Sequence, residues 1–148
     1  MDNQLTRERM DFLAHDYSRG FIKHCGLKAS LIEKGILEST VIIGKNHRTQ
    51  DEFIHAGLIA TMADHTAGYA AFTTVSEDFR ILTIEFKINF LKPAFGRSLR
   101  CRSTLVNKGK QIIVAESEVY DVRERGEALV AKGIITMMAV PADKIATT

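Results

Sequence analysis

The sequence predicts an α+β domain in which an antiparallel sheet wraps around one long helix. One observation is that residues 56–75 are small or apolar on almost every side, so a helix there must be enclosed. A second is that turn-punctuated segments with alternating apolar residues follow it, which is typical of successive antiparallel strands. At 148 residues the chain is long enough for one domain with a substantial core, and we predict a single domain over residues 1–148.

The N-terminal third predicts a helix and then a hairpin. Met10, Leu13, Tyr17 and Phe21 recur at helical spacing and predict a helix over about residues 5–23. The core of the domain spans about residues 27–140. It begins with LKASLIEKGILESTVIIG, where two apolar runs flank Lys34-Gly35, which predicts a hairpin with a glycine turn. Residues 46–53 are polar and predict a loop, and the long helix follows over about residues 55–74.

The second half predicts four strands. In RILTIEFKINFL, residues 80–91, the apolar side chains alternate and predict a strand with one buried face; that face carries Leu82, Ile84, Phe86, Ile88 and Phe90. Pro93 and Gly96 predict a turn. Residues 97–122 predict two strands joined at residues 107–110, and residues 127–140 predict the last strand, which follows a charged turn and ends at Pro141.

Composition and patterning exclude several classes of function. The net charge of +2 gives no reason to expect a nucleic-acid partner. The apolar run carries Asp64, and a carboxylate is costly at bilayer mid-depth, so we expect a buried helix and no membrane span. Cys25 and Cys101 lie far apart without metal-ligand spacing. With no signal peptide, this predicts reduced thiols, a cytoplasmic protein and no metal site.

The stretch QDEFIHAGLIATMADHTAGYAA, residues 50–71, followed by TIEFKINFLKPAFG, residues 83–96, resembles the hotdog-fold acyl-CoA thioesterases of the phenylacetate-pathway (PaaI-like) type. The match consists of His55, Ala56 and Gly57 at the helix start and Asp64 nine residues after the histidine. The resemblance covers about residues 27–140. It implies a hotdog fold and hydrolysis of an acyl-CoA to the free acid and CoA. It also implies no cofactor, homodimers with composite sites, and tetramers built from two dimers.

The chemistry of thioester hydrolysis assigns roles to the matching residues. An oxyanion develops on the carbonyl under attack, and the unpaired N–H groups of a helix N-terminus at Gly57 are suited to stabilise it. Asp64 is the candidate general base or nucleophile, because buried carboxylates within a helix are uncommon without a role. The alternative is an aspartate that only bonds a neighbouring threonine or backbone group. His65 points about 100° away from Asp64 around the helix and is expected to meet a different neighbour.

The resemblance implies roles for three further residues. Gln50 orients water or the thioester oxygen, unless it is a solvated loop residue. His55 caps the helix or bonds the preceding loop. Thr83 lies near Asp64, unless it is an ordinary strand threonine.

Helix geometry also predicts a dimer. Gly57 and Asp64 lie seven residues apart on one helix face and therefore about 10 Å apart along the axis. One carbonyl carbon cannot reach both in the same chain. If both serve one reaction, Gly57 of one chain faces Asp64 of the other across a two-fold axis.

Coenzyme A brings phosphates and an acyl group. Cationic residues occur in the turns of the last strands and are candidates for the nucleotide end, or else they form solvated hairpin tips: Arg97, Lys108, Lys110, Arg123 and Arg125. Phe90 is a candidate for the acyl pocket, together with Phe53, Met62 and Phe72. Medium-chain and aryl substrates both stay open.

Two other functions fit the fold. One is an enoyl or hydroxyacyl thioester hydratase or dehydratase, although HAGLIATMAD does not resemble the helix pattern of those enzymes. The other is a non-catalytic acyl-CoA-binding module. The presence of Gln50, Gly57 and Asp64 together argues against the module.

Overall fold

The computed structural model describes residues 4–145 of the chain. The predicted domain of residues 1–148 also includes residues 1–3 and 146–148, which lie outside that range. Within it the elements are α1 (Arg7–Tyr17), α2 (Phe21–Cys25), β1 (Lys28–Glu33), β2 (Ile36–Ile42), a 3-10 helix (Lys45–His47), α3 (Ala56–Phe72), β3 (Phe79–Phe90), β4 (Ser98–Lys108), β5 (Ile112–Arg123), β6 (Gly126–Pro141) and a second 3-10 helix (Ala142–Lys144).

The six strands form one antiparallel sheet in the order β1-β2-β4-β5-β6-β3. Helix α3 packs across one face of this sheet and contacts every strand. The predicted α+β architecture with one long helix against an antiparallel sheet is therefore confirmed. The predicted hairpins are also present, and Gly35 and Gly126 supply the positive φ angles, 78° and 108°, that their turns require.

The predicted N-terminal helix is two helices. Helix α1 ends at Tyr17, and α2 begins at Phe21 after a change of direction at Gly20, whose φ is 60°. A residue with positive φ cannot continue a right-handed α-helix, so the helix ends although the apolar spacing continues through the sequence.

Strand β3 is an edge strand, and the prediction of its inward face is wrong for Leu82 and Ile84 but holds for Phe86, Ile88 and Phe90. A β-bulge at Ile84 places one extra residue between the pairs Thr83–Met137 and Glu85–Thr136. The side-chain alternation therefore reverses at the bulge. The helix-facing side of β3 carries Ile81 and Thr83 before the bulge and then Phe86, Ile88 and Phe90 after it.

Much of the apolar surface of β3 is uncovered in the single chain. Leu82, Ile84, Phe86 and Phe90 are each more than two-fifths exposed. The strand has no neighbour on its outer edge among the described residues. A long apolar edge strand is a ready partner for another chain.

Helix α3 is only partly enclosed by its own chain. Its sheet-facing side is buried and includes Met62, Ala63, Ala67 and Ala70, while α1 covers another side through Tyr17. A third side stays open, so the expectation of complete enclosure is not met within one protomer. Among the described residues, no helix is long and apolar enough to cross a membrane.

Candidate active site

The open side of α3 is lined by small side chains. It carries Ala56, Gly57, Ala60 and Gly68, and Asp64 lies in the middle of it. Ala56, Ala60, Asp64 and Gly68 follow each other at four-residue steps and form one stripe along the helix, with Gly57 beside its start. A stripe of this kind exposes backbone and leaves room for a ligand or a second helix close to the axis.

Asp64 has a defined partner on the neighbouring strand. The Thr83 hydroxyl donates a hydrogen bond of 2.7 Å to Asp64 Oδ1. A hydrogen bond to a carboxylate is roughly twice as strong as a neutral one, so it fixes the orientation of the acid group. Thr83 faces α3 because it lies before the bulge in β3. Asp64 and Thr83, both candidates from the sequence, are thus in contact, and Asp64 also lines two cavities beside the helix.

The helix turn that carries Asp64 is fixed from behind by buried hydroxyl groups. Ser117 donates to the carbonyl oxygen of Ala63 over 2.8 Å. On the following turn, the Thr66 hydroxyl lies 2.9 Å from the Tyr17 hydroxyl and 2.8 Å from the Ser39 hydroxyl. All four hydroxyl-bearing residues are fully buried, so these bonds form away from water and hold α3 against the sheet and α1.

The N-terminus of α3 is capped by a side chain. His55 Nδ1 accepts a 2.8 Å hydrogen bond from the Gly57 N–H, as the sequence analysis anticipated for a capping histidine. A Cβ at Gly57 would lie 2.9 Å from His55 Nδ1, so the glycine is required for the cap itself. The Leu58 and Ile59 N–H groups both donate hydrogen bonds to the His55 carbonyl oxygen.

The free amide at this terminus therefore belongs to Ala56 rather than Gly57. The Gly57 N–H, the donor predicted from the sequence, is occupied by His55. Among residues 4–145 the structure gives no acceptor for the Ala56 N–H, and Ala56 is exposed on the open side of the helix. A sequence cannot distinguish these two amides, because the difference depends on one side-chain rotamer.

Gln50 lies apart from Asp64 within the chain. Its loop precedes α3, its side chain is exposed, and its amide nitrogen lies 3.4 Å from the Asp51 carboxylate. No contact joins Gln50 to Asp64 in the described chain. Gln50 belongs to the α3 N-terminal end of the molecule, the same end as the free Ala56 amide.

His65 contacts a different neighbour from Asp64, as predicted. Its Nε2 lies 2.9 Å from the Tyr17 carbonyl oxygen, and since a carbonyl only accepts, Nε2 carries the proton. The ring packs between Tyr17 and Tyr69. Burial lowers the pKa of His65, despite the opposing effects of the Tyr17 carbonyl and the nearby carboxylates. His65 therefore joins α3 to α1 as a neutral side chain.

The five candidate cations do not form one cluster. Lys108 and Lys110 flank the β4–β5 turn at one end of the sheet. The other three lie at the opposite end, where α3 begins: Arg97, Arg123 and Arg125. The two groups of cations are far apart because β4 runs between these turns, and an extended strand of this size is about 35 Å long.

Arg123 already has several partners. Its guanidinium lies 3.1 Å from the buried Asp121 carboxylate and stacks on the Phe95 ring at 4.2 Å. Asp121 also accepts hydrogen bonds from the Phe95 and Gly96 amides, so Arg123 and Asp121 together fix the loop after β3. Arg97 and Arg125 are the more accessible cations of this end.

Phe90 lies beside the helix start. Together with Phe53, Ile59 and Pro93 it lines a cavity of about 240 Å³ that reaches Ala56. Of the other acyl-pocket candidates, Met62 and Phe72 are buried in the core. Sequence reasoning missed Phe21 of α2, which lines two cavities along the open side of α3. Within the described range no group of three or more His, Cys, Asp or Glu side chains is arranged to hold a metal.

Comparison with known proteins assigns the family. The model of the thioesterase superfamily matches residues 52–128, which include the whole of α3 and β3. The chain belongs to the thioesterase superfamily. The predictions of a hotdog fold and of a thioester hydrolase are thereby confirmed.

Relatives of this thioesterase cover most of its length. A protein of Saccharolobus solfataricus with the provisional name of esterase is 30% identical over 99 residues, which are 67% of this chain and 70% of that protein. The crystal structure of a thioesterase family protein from Silicibacter pomeroyi superposes with a TM-score of 0.85 at 30% identity, covering 89% of this chain and 98% of the other.

A third comparison bears on the fold alone. A phenylacetic acid degradation-related protein from Ralstonia eutropha, described as a thioesterase on provisional grounds, superposes with a TM-score of 0.71 at 21% identity. The superposition covers 80% of this thioesterase and 88% of the other chain. The chain therefore shares its fold with this protein, which agrees with the PaaI-like resemblance of the sequence.

Proposed function

We propose that this thioesterase hydrolyses a medium-chain or aryl acyl-CoA to the free acid and CoA. The observation that carries the proposal is the pair of groups on the open side of α3. One is the Asp64 carboxylate oriented by Thr83, and the other is the Ala56 N–H without an acceptor. A base and an oxyanion donor are the two elements that acyl transfer to water needs.

In this reaction a water oxygen attacks the thioester carbonyl carbon while Asp64 accepts a proton from the water. The carbonyl oxygen becomes an oxyanion that the Ala56 N–H and the positive end of the α3 dipole stabilise. The C–S bond then breaks, and the CoA sulfur takes the proton from Asp64. In the alternative route the Asp64 carboxylate itself attacks the carbonyl carbon, the C–S bond breaks and CoA leaves as the thiolate, which takes a proton from solvent. Water then hydrolyses the resulting mixed anhydride to the free acid and restores the Asp64 carboxylate.

Each site requires two chains. Ala56 and Asp64 are separated by eight residues, or about 12 Å along the helix axis, so one carbonyl group cannot contact both in one protomer. Two α3 helices that pack antiparallel through their small-residue stripes bring Ala56 of one chain to Asp64 of the other. The exposed apolar edge of β3 supports the same homodimer, because edge strands related by a two-fold axis extend a sheet across it.

The dimer also gives Gln50 a role. Gln50 lies at the α3 N-terminal end, so in an antiparallel pair it approaches the Asp64 of the neighbouring chain. Its amide then bonds either the attacking water or the thioester oxygen.

The nucleotide end of CoA lies at the α3 N-terminal end of the sheet in this proposal. The thioester carbonyl is held at Ala56, and Arg97 and Arg125 are the accessible cations there. Arg123 supports them through its contacts with Asp121 and Phe95. Lys108 and Lys110 lie at the opposite end of the sheet. In this proposal they are solvated turn residues that do not contact the nucleotide bound at their own chain's α3 N-terminus.

Dimers of dimers have a candidate surface on the outer face of the sheet. Leu82, Met138 and Ile112 lie side by side on β3, β6 and β5, and Leu82 and Ile112 are exposed. An apolar cluster on a solvent-facing sheet supports the tetramer that we propose. Cys25 and Cys101 are free thiols, in agreement with a cytoplasmic location.

A thiol-release assay over an acyl-CoA panel tests the proposal. We expect hydrolysis of medium-chain or aryl thioesters by the wild type, and a loss of about 10³-fold or more in kcat for Asp64→Asn. Asp11→Asn, an exposed carboxylate on α1, is the matched control and should retain activity.

The same panel separates the other functions. Addition of water to crotonyl-CoA without thiol release identifies a hydratase and contradicts the proposal. Binding of acyl-CoA with neither reaction identifies a non-catalytic module.

A further inference from the structure

Helix α2 places one aromatic ring between two cavities on the open side of α3. Phe21 is the first residue of α2, directly after the break at Gly20, and it is 65% exposed. The ring is therefore largely uncovered in the single chain.

The first cavity, here the tip cavity, has a volume of about 400 Å³ and lies at the start of α3; besides Phe21 its walls include His24, Asn46, His47, His55 and Gly57. The second, here the acid cavity, has a volume of about 520 Å³ and contains Asp64; its walls also include Ile22, Ala60 and Phe86. Phe21 and Thr61 are the two residues that line both.

Phe21 is the larger of these two shared walls. The Thr61 hydroxyl donates to the Gly57 carbonyl oxygen over 2.8 Å, so Thr61 is held against its own helix. The Phe21 ring lies against both the tip cavity and the acid cavity. The three imidazoles of the tip cavity make it the more polar of the two.

The acid cavity suits an apolar acyl chain. Phe21, Ile22 and Phe86 present hydrocarbon to the space next to Asp64, where Arg19, Thr61 and His65 are the other polar walls. A third cavity, of about 340 Å³, adjoins Asp64 on its other side; it has Tyr69, Phe72 and Ile81 in its walls but also the charged Asp16 and Arg80 and the Thr83 hydroxyl. Burying alkyl groups against charged and hydroxyl side chains gains less than burying them against aromatic and aliphatic ones. A thioester carbonyl at Asp64 therefore directs its acyl chain toward Phe21.

From this arrangement we infer that Phe21 determines acyl-chain specificity by closing the far end of the acid cavity. The inference rests on the proposed acyl-CoA hydrolysis and extends it to a residue outside the catalytic pair. A chain that fills the acid cavity is accepted, and a longer one meets the Phe21 ring. Replacement of the ring by a methyl group joins the acid cavity to the tip cavity and admits longer chains.

The test is a chain-length profile of kcat/KM from acetyl-CoA to palmitoyl-CoA for wild type, Phe21→Ala and Phe21→Trp. Phe21→Ala should shift the optimum to longer chains and raise the lauroyl-to-butyryl ratio by about tenfold or more, whereas Phe21→Trp should lower it. Phe12→Ala removes another exposed phenylalanine, on α1, that lines neither cavity, and it should leave the profile unchanged. A wild-type profile in Phe21→Ala, with normal activity, overturns the inference and leaves the proposed function intact.

A binding measurement tests the inference about Phe21 without requiring turnover. Non-hydrolysable S-alkyl-CoA thioethers of increasing length are titrated into wild type and Phe21→Ala by calorimetry. Affinity that falls beyond a limiting length in wild type, and does not fall in Phe21→Ala, supports the inference even if no acyl-CoA is hydrolysed. The same length dependence in both proteins overturns it.

Discussion

The substitution Ala56→Pro removes one N–H group from the helix start and little else. Ala56 is the first helical residue of α3, a position at which proline is favoured because its fixed φ suits a helix. The preceding residue, His55, has φ −63° and ψ 132°, the extended backbone that a residue before proline adopts. The amide that is lost has no acceptor among the described residues, so no intramolecular hydrogen bond is broken.

The expected effect is catalytic rather than structural. Loss of one oxyanion donor typically reduces kcat by about 10²–10³-fold, or roughly 3–4 kcal/mol of transition-state stabilisation. Because the oxyanion forms only in the transition state, KM should change little. The melting temperature should stay within about 2 °C of wild type, since ~1 kcal/mol corresponds to a few degrees at this chain length.

The assay is steady-state thiol release with the best substrate of the panel, alongside thermal unfolding. Ala56→Ser retains the N–H and should retain kcat within about threefold. Gly57→Ala provides a second comparison, because its new Cβ displaces His55 and should lower stability as well as activity. A kcat for Ala56→Pro close to that of wild type, in a folded dimer, would refute the assignment of this amide.

Three other substitutions test the surroundings of the site. Thr83→Val removes the 2.7 Å hydrogen bond to Asp64 and should lower kcat about tenfold, as expected for ~1.5 kcal/mol, whereas Thr83→Ser should recover activity; equal kcat in both variants contradicts the positioning role. The pKa of His65 is lowered by burial, so the unfolded state binds more protons and stability falls as the pH drops below the unfolded pKa of about 6.5. His65→Gln should reduce the pH dependence of unfolding in urea as the pH falls below about 6.5, and an unchanged slope rules His65 out as its source. Arg9 donates to the Phe72 carbonyl at the C-terminus of α3 and stacks on the Phe72 ring at 4.7 Å, so Arg9→Met should lower the melting temperature by about 3–8 °C, and no change means that this cap is not stabilising.

Local patterns predicted the elements that local physics determines. The helical spacing, the hairpin glycines and the alternation of β4, β5 and β6 each report on a few neighbouring residues, and all these elements are present. The break between α1 and α2 escaped prediction because Phe21 continues the apolar period of α1 while Gly20 changes the chain direction. Tertiary contacts set the boundary between α1 and α2, because Tyr17 of α1 and Ile22 of α2 are both buried.

The face of β3 escaped prediction for a related reason. Residues 80–91 alternate without interruption in the sequence, and nothing local marks Ile84 as a bulge. The bulge moves Phe86 and Phe90 to the side of Thr83, which brings the aromatic walls and the carboxylate partner to one face.

The candidate site was predicted where it depends on a motif and missed where it depends on side-chain placement. Asp64 and His55 belong to the recognisable helix stretch, and the contact of Thr83 with Asp64 agrees with its predicted position. The choice between the Gly57 and Ala56 amides depends on the ring of His55, and the role of Phe21 depends on the direction of α2. Neither can be derived from spacing along the chain.

The central claim is that a carboxylate and a helix amide from different chains form each active site. Two chains with different affinity tags, one carrying Asp64→Asn and the other Ala56→Pro, are co-expressed, and the mixed dimer is purified through both tags. The account predicts that each variant alone is nearly inactive, while the mixed dimer recovers about half of the wild-type kcat because one of its two sites has both groups intact. A mixed dimer as inactive as its parents would contradict the composite site, since it would mean that Asp64 and Ala56 act within the same chain.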